Sequence, residues 1–319
     1  MPARTEKTMT PRISPCHTRA MTAPADRSDI LSLAARHDLD LDPGDLRVIE
    51  AGLDFRVAIG RAADGQRWVL RMPRRPDVLD RAEVEGRLLE LVAPRLSIAV
   101  PDWRIRSAEL IAYPLLPGEP GLTLAEDGTP QWHVDVSSTT YSAMLGHVIA
   151  ELHAIDVEEA RATGVEVRSP QESRQQWRED IARVADAFEV SPALLERWTA
   201  WVDEDSYWPG HSVLTHGEIY PAHTLVDGER LTAVLDWTTA GVGDPARDLT
   251  FQQAGTPPEA FATLLEHYEA GGGRTWPRLA EHCAEMFAAS PIAYGVFVLE
   301  TGDETHRAAA EAGLNPPAP

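Results

Sequence analysis

The sequence is nearly free of lysine: of its 29 basic residues only Lys7 is not an arginine. A phosphate-binding loop of the GK[ST] kind needs a lysine at a fixed step, so that class is excluded. Cysteine is as scarce. Cys16 and Cys283 cannot build a disulfide framework, no close Cys pair is offered to a structural metal, and a reducing cytoplasm is the expected setting. No stretch approaches the ~18 consecutive apolar residues of a membrane span, so none is expected. Positive charge is outweighed, with 50 acidic residues bringing the formal net charge to −21. That balance argues against a nucleic-acid partner, because phosphate backbones are held by clustered Lys and Arg. It suits a cationic ligand, or simply solubility.

The 319 residues, 43% hydrophobic and 25% charged, suffice for two lobes. Residues 1–20 carry Arg4, Lys7, Arg12 and Arg19 against Glu6 but lack an apolar central region, so they do not read as a secretory signal. Met21 opens a more ordinary start, and residues 1–27 are expected to be a disordered leader. Residues 29–37 (DILSLAARH) have helical apolar spacing behind an acidic cap at Asp29. From Leu46 to Met72 the pattern alternates, and Asp64-Gly65 marks a hairpin, which predicts an antiparallel meander. Residues 81–92 (RAEVEGRLLELV) return to helical spacing, and two further strands are expected between Val100 and Tyr113.

Pro114, Pro117, Gly118, Pro120 and Gly121 then crowd together, a composition that breaks helix and sheet alike, and residues 114–121 are assigned as a linker. Beyond it helix dominates. Leu145, Val148, Ile149 and Leu152 form one buried stripe, Ser191-Pro192 starts a second helix, and residues 286–298 supply a third apolar region. Trp198, Trp201, Trp208, Trp237 and Trp276 are read as packing residues, and the tail after Gly313 as frayed.

Residues 213–251 carry the chemistry. Thr224-Leu225-Val226 and residues 231–235 flank Asp227-Gly228-Glu229-Arg230, the pattern of a hairpin, with His216-Gly217-Glu218 before it and Asp236-Trp237 after it. Phosphoryl transfer requires a carboxylate beside the acceptor hydroxyl and ligands for a metal bridging the nucleotide phosphates. Glu218 stands five positions before His223, the kinase spacing of base to metal ligand, and Asp236 ends the second strand. Taken alone, each residue has a plainer reading. His-Gly is often a turn, and His223 could be a buried structural imidazole. Asp236 is harder to explain that way, since an unpartnered buried carboxylate costs several kcal/mol. Asp244 and Asp248 are read as cap and brace of the next helix. Arg71 could belong to a solvated cluster with Arg74 and Arg75.

The segment resembles the catalytic core of the aminoglycoside phosphotransferase-like superfamily, and most specifically the macrolide 2′-phosphotransferases, whose pattern is H-G-D-L-[HY]-x-G-H-x-L-[IV]-D followed by I-D-W-[ST]-E-A. Gly52-Leu53-Asp54-Phe55, the run from Trp68 to Arg75, Val100-Pro101-Asp102-Trp103 and the run from Gly272 to Arg278 are similar to that family too. The resemblance implies an α+β, bilobal, protein kinase-like fold with a small antiparallel-sheet N-lobe (28–113) and a larger, mainly helical C-lobe (122–319). It implies Glu218 as catalytic carboxylate, His223 and Asp236 as Mg²⁺ ligands, Arg71 at the position of the kinase strand lysine with Glu85 as its partner, and the backbone of Ala112 and Tyr113 facing the purine of GTP or ATP. Three departures stand out: Glu218 for Asp, Ala222 for Gly, and Thr239 for Glu. Glu281, Glu285 and Tyr294 are candidates for the antibiotic pocket. The expected activity is transfer of γ-phosphate to the macrolide 2′-hydroxyl by a cytoplasmic monomer. Transfer to another small hydroxylated amine or sugar, or binding with weakened catalysis, are the alternatives.

Overall fold

The computed structural model describes residues 26–50, 54–75, 78–125, 127–302 and 304–316. Lys7, Cys16, Met21, Gly52 and Leu53 lie outside the described residues, as does the expected leader except for its last two residues. Asp26 and Arg27 belong instead to α1 (Arg27–Ala35): Asp26 is its cap, in a capping box with Asp29, so the acidic residue expected to cap the helix is its third residue.

Strands β1 (Arg47–Ile49), β2 (Phe55–Arg61) and β3 (Arg67–Pro73) form the expected meander. Next comes α2 (Val78–Val92), three residues longer at its start than the apolar pattern suggested. Then β4 (Ile105–Arg106) and β5 (Ile111–Pro114) complete a five-stranded antiparallel sheet in the order β1-β2-β3-β5-β4. The period-two alternation of β3 gives the sheet two working faces. Leu70 and Met72 join Ile30, Leu33 and Leu110 in a core under α1, whereas Val69 joins the larger core with Phe55, Tyr113 and α2, and Arg71 points to that same side.

The proline- and glycine-rich segment is not free of sheet. Within it β6 (Glu119–Pro120) pairs with a later strand, Leu225 opposite Pro120, and β7 (Leu122–Leu124) and β8 (Pro130–Trp132) follow as a small hairpin. The rest is mainly helical: α3 (Thr139–His153), α4 (Val157–Ala162), α5 (Pro170–Ala187) and α6 (Pro192–Asp203) precede β9 (Val213–Thr215), β10 (Thr224–Asp227), β11 (Arg230–Val234) and β12 (Gly241–Gly243). The chain ends in α7 (Thr250–Gly255), α8 (Pro258–Ala270), α9 (Leu279–Ala288), α10 (Ser290–Thr301) and α11 (Arg307–Leu314). Pro192 does open α6, but the Ser191 side chain makes no capping bond.

The apolar stripe of α3 is buried as expected, and α8 crosses it so closely that a Cβ at Gly146 would lie 2.2 Å from the Leu264 carbonyl. Only glycine permits that approach. Trp198, Trp201 and Trp237 are fully buried, in keeping with packing roles. Helix α11 continues through Leu314, which is buried, so fraying does not begin at Gly313. Among the described residues no single helix is long and apolar enough to cross a membrane, and the apolar α9–α10 pair bends by 44°.

Candidate active site

The β10–β11 hairpin carries the site. Leu225 pairs with Ala233 across a ladder with one irregularity, and the Tyr141 hydroxyl of α3 meets Thr224 Oγ1 at 3.0 Å, tying the hairpin to the helical core. Just before it the backbone turns at Gly217, with φ at +89°. A Cβ there would fall 2.5 Å from Arg247 Nη2 and 2.7 Å from the Thr239 carbonyl, so glycine is required.

Asp248 holds this turn from beneath. It accepts from the backbone N–H of His216 (2.9 Å) and Gly217 (2.6 Å), and its Oδ2 lies 3.1 Å from His153 Nε2, whose Nδ1 meets the Tyr268 hydroxyl. Burial pushes this carboxyl upward, but the bond and charge of His153 and the Gly217 N–H outweigh it, so Asp248 titrates below its ordinary range and stays charged. It therefore braces the turn at Gly217, not the helix that follows. Asp244 does cap its own turn through Ala246 N, and it also accepts from buried His282 at 2.8 Å.

His216 is buried. Its Nε2 lies 2.8 Å from the Leu235 carbonyl, which can only accept, so the proton sits on Nε2 and Nδ1 is left to accept from Glu218 N. Burial lowers its pKa to about 4. His223 is arranged the opposite way. Its Nδ1 donates to the Glu218 carbonyl at 3.0 Å, which leaves the Nε2 lone pair facing Asp236 Oδ2 at 3.8 Å. Asp236 holds a left-handed backbone (φ 57°) and accepts at Oδ1 from the Thr238 hydroxyl at 2.6 Å, so Oδ2 remains for another partner. Burial raises its pKa, but Thr238, His223 and Arg71 together bring it below the usual value.

Glu218 lies within electrostatic reach of both, with its side chain reaching the surface and its inner part screened from water. Burial raises its pKa, His223 and Arg247 counter it, and Asp236 adds to the rise. The sequence reading thus brings three side chains to one place. Among the described residues no group of three or more His, Cys, Asp or Glu forms a ready cage for a metal ion. One imidazole nitrogen and one carboxylate oxygen nevertheless suit an ion that takes most of its ligands from phosphates and water, as Mg²⁺ does.

Arg71 Nη1 donates to Glu85 Oε1 at 2.7 Å, with both side chains buried, and the guanidinium carbon lies 4.1 Å from the Phe55 ring centroid. Arg71 is therefore distinct from the more exposed Arg74 and Arg75. Burial alone would lower its pKa, but the Glu85 carboxylate outweighs that and the net shift is upward. The Tyr113 hydroxyl faces the same charges, and burial pushes it up to about 12. The backbones of Ala112 and Tyr113 are already engaged. The Ala112 carbonyl accepts from Arg104 N at 2.9 Å, and Tyr113 lies opposite Val69 in the β3–β5 ladder, which continues with Leu115 N on the Arg67 carbonyl. By strand alternation the next groups facing away from β3 are those of Pro114 and Leu116.

A family model described as phosphotransferase enzyme family matches residues 45–282. The chain belongs to that family. Among solved structures it is similar to macrolide 2′-phosphotransferase MphH from Brachybacterium faecium, at 63% identity and a TM-score of 0.89 over 93% of this chain and 100% of that one. A macrolide 2′-phosphotransferase type I follows at 41% identity and 0.86, covering 94% and 100%. Among curated proteins, YcbJ of Bacillus subtilis (strain 168), described as uncharacterized, is 40% identical over 88% of this chain and 92% of its own length. The protein is a phosphotransferase acting on a hydroxyl group, with the antiparallel-sheet N-terminal region and helical C-terminal part of the kinase-like fold.

The three candidates for the phosphotransferase's acceptor pocket lie on the late helices α9 and α10. Glu285 is held by Arg197 in a two-point pair at 2.8 and 3.1 Å, the Tyr294 hydroxyl is bonded to His306, and Glu281 is exposed on α9. None of the hydrogen bonds, ion pairs or ring contacts found among the described residues joins them to residues 216–223. Residues that the sequence reading passed over do reach that loop. Tyr220 stacks edge-on against His223 with centroids 4.5 Å apart and also meets Phe251. Leu122 N donates to the Pro221 carbonyl at 3.1 Å, fastening the β7–β8 hairpin to the loop with Leu124 (68%) and Trp132 (51%) exposed.

Proposed function

We propose that the protein is a macrolide 2′-phosphotransferase, moving the γ-phosphate of GTP or ATP to the 2′-hydroxyl of the macrolide amino sugar. The convergence of Glu218, the free Nε2 of His223 and Asp236 beside a charged Arg71–Glu85 pair carries this reading, and the 63% identical relative names the substrate class. Residues 114–121 would act as the hinge between a nucleotide-binding N-lobe and an acceptor-binding C-lobe. There the Pro114 carbonyl and the Leu116 N–H are the backbone groups suited to a purine edge.

Glu218 orients the acceptor hydroxyl and takes its proton, a task favoured by a carboxyl pKa raised above its ordinary value. Asp236 and His223 would hold Mg²⁺, which neutralises phosphate charge when bound. Arg71, fixed by Glu85 and Phe55, places a permanent positive charge against the nucleotide phosphates. Asp248, by holding Gly217, fixes where Glu218 starts. A macrolide presents a large apolar ring and a protonated dimethylamine. The exposed Leu124 and Trp132 suit the first, and the acidic character of the chain suits the second. Carriage of the gene would then confer macrolide resistance.

The test is mass spectrometry of erythromycin incubated with the protein, GTP and Mg²⁺. One added phosphate, lost in Glu218→Gln and Asp236→Asn, is the expected result, while transfer only to small amino alcohols or sugars would replace the macrolide reading. A second reading rests on the extra methylene of Glu218, which sets the carboxylate roughly 1 Å from where Asp would put it, a displacement able to cost on the order of 100-fold in rate. A wild-type protein that binds erythromycin but transfers no phosphate would establish that weakened binder.

A further inference from the structure

Helix α2 carries more than Glu85. Leu79, Ala82, Glu83, Gly86 and Arg87 recur at helical spacing along one of its faces, and that face stands off from the β4–β5 hairpin to leave a cavity of about 350 Å³. Trp103, just before β4, and Ile111 of β5 form the facing apolar wall, and Arg106 stands at its edge. The lining includes none of Glu218, His223 and Asp236, so this site lies apart from the catalytic one, and its size suits a small ligand. Gly86 shapes it. A Cβ there would lie 3.1 Å from Arg106 Nη1 and 3.2 Å from Trp103 Cζ3. Alanine would favour the helix more, and it is the missing side chain that lets these two residues close on α2.

The floor of the cavity suits a flat ring, and Trp103 Nε1 is buried there with no acceptor among the described residues. The mouth is cationic. Arg106 holds its guanidinium carbon 5.5 Å from the Trp103 ring centroid and pairs with exposed Glu90, which is not part of the lining. Arg87 is fixed by its Nε, which donates to the Thr163 carbonyl at 2.7 Å, and its Nη1 lies 3.8 Å from exposed Glu83. Exposed pairs of this kind are weak, so a carboxylate sheltered by the cavity wall can compete for both guanidinia.

The wall is shared with the Arg71–Glu85 pair. The guanidinium carbon of Arg71 also lies 5.5 Å from the Trp103 ring centroid, and Gly86 adjoins Glu85 on α2. We propose that this cavity binds a small aromatic carboxylate, its ring against Trp103 and its carboxylate on Arg106 and Arg87, and that occupancy strengthens nucleotide binding. The cavity is open in the same state in which Arg71 and Glu85 are joined, so a ligand that fills it favours that state. The coupling rests on the reading of Arg71 as a contact for the nucleotide phosphates.

The test is isothermal titration of the full chain with 1-naphthoate, and with neutral 1-naphthamide as control, in the absence and presence of GTP and Mg²⁺. Naphthoate should bind at a single site and about tenfold more tightly than the amide. Arg106→Gln, at an exposed position, should abolish that preference while GTP affinity measured alone stays the same. Gly86→Ala should weaken both probes about tenfold by crowding Trp103. Saturating naphthoate should tighten GTP binding about fivefold, and GTP should tighten naphthoate by the same factor. Absence of naphthoate binding, a carboxylate preference that survives in Arg106→Gln, or displacement of naphthoate by GTP or erythromycin would overturn the inference. Failure of GTP to bind without naphthoate would defeat the nucleotide reading and the coupling with it, whereas GTP affinity that naphthoate leaves unchanged would defeat the inference alone. Thermal midpoints of both variants exclude misfolding.

Discussion

Arg71 and Glu85 meet at 2.7 Å with side chains only 9% and 1% exposed, a buried ion pair clasped between the sheet and α2. Exposed pairs such as Arg36–Glu109 contribute at most about 1 kcal/mol. Breaking a buried pair costs roughly 3–5 kcal/mol, because the surviving charge is stranded. Glu85→Ala is therefore expected to destabilise the protein by that amount in urea melts. Arg71→Lys keeps the charge but loses the planar stack on Phe55, and should raise the nucleotide KM more than the macrolide KM.

Asp248→Asn removes a charge that never touches substrate. The amide can replace at most part of what two backbone N–H groups and His153 now share, and an unsatisfied buried donor costs about 1–3 kcal/mol. The turn at Gly217 should loosen and Glu218 with it. Steady-state kinetics should show kcat falling on the order of 100-fold with both KM values within a few-fold. An equal loss in KM would point to general unfolding of the cleft.

How much of this was legible beforehand follows from the range of each signal. The Asp227-Gly228 hairpin, the alternation of β3 and the stripe on α3 are local patterns, and the chain adopts them. Glu218, His223 and Asp236 were legible because nineteen consecutive residues, a loop and the hairpin after it, carry all three, so local structure alone brings them together. Asp248 bonding His216, and Pro120 lying against Leu225, join positions far apart in the chain. Local composition says that Asp caps and Pro breaks, which is true of Asp244 but misses both long-range partners. Glu285 illustrates the same limit: local pattern offered a helical carboxylate, and its pairing with Arg197, 88 positions away, was not legible.

His216 makes stability depend on pH. Its folded pKa, held near 4 by burial, lies below the ordinary 6.5, so the unfolded chain binds a proton that the folded one refuses. The stabilisation from this group is complete above pH 6.5 and is lost as pH falls from there to about 4. For a fully buried imidazole the loss is on the order of 3 kcal/mol. Urea melts across that window should show the decline, and His216→Asn should flatten this part of it.

The β7–β8 hairpin offers the sharpest separation of the two substrates. Trp132 is half exposed, beyond what a soluble surface needs of its largest apolar side chain, and the strand pairing Leu122 with Trp132 is bonded directly to Pro221 of the catalytic loop. If the macrolide ring rests there, Trp132→Ala removes a large apolar contact worth about 1.5–3 kcal/mol, or roughly 10- to 100-fold in affinity. The macrolide KM should rise by about that factor. The nucleotide KM should not move, because among the described residues no hydrogen bond, ion pair or ring contact joins Arg71, Asp236 or His223 to the hairpin. Isothermal titration with erythromycin and, separately, with GTP and Mg²⁺ reads both. Equal weakening of the two would mean that Trp132 supports the loop as a whole, and unchanged affinity for both would move the macrolide ring to another wall of the cleft.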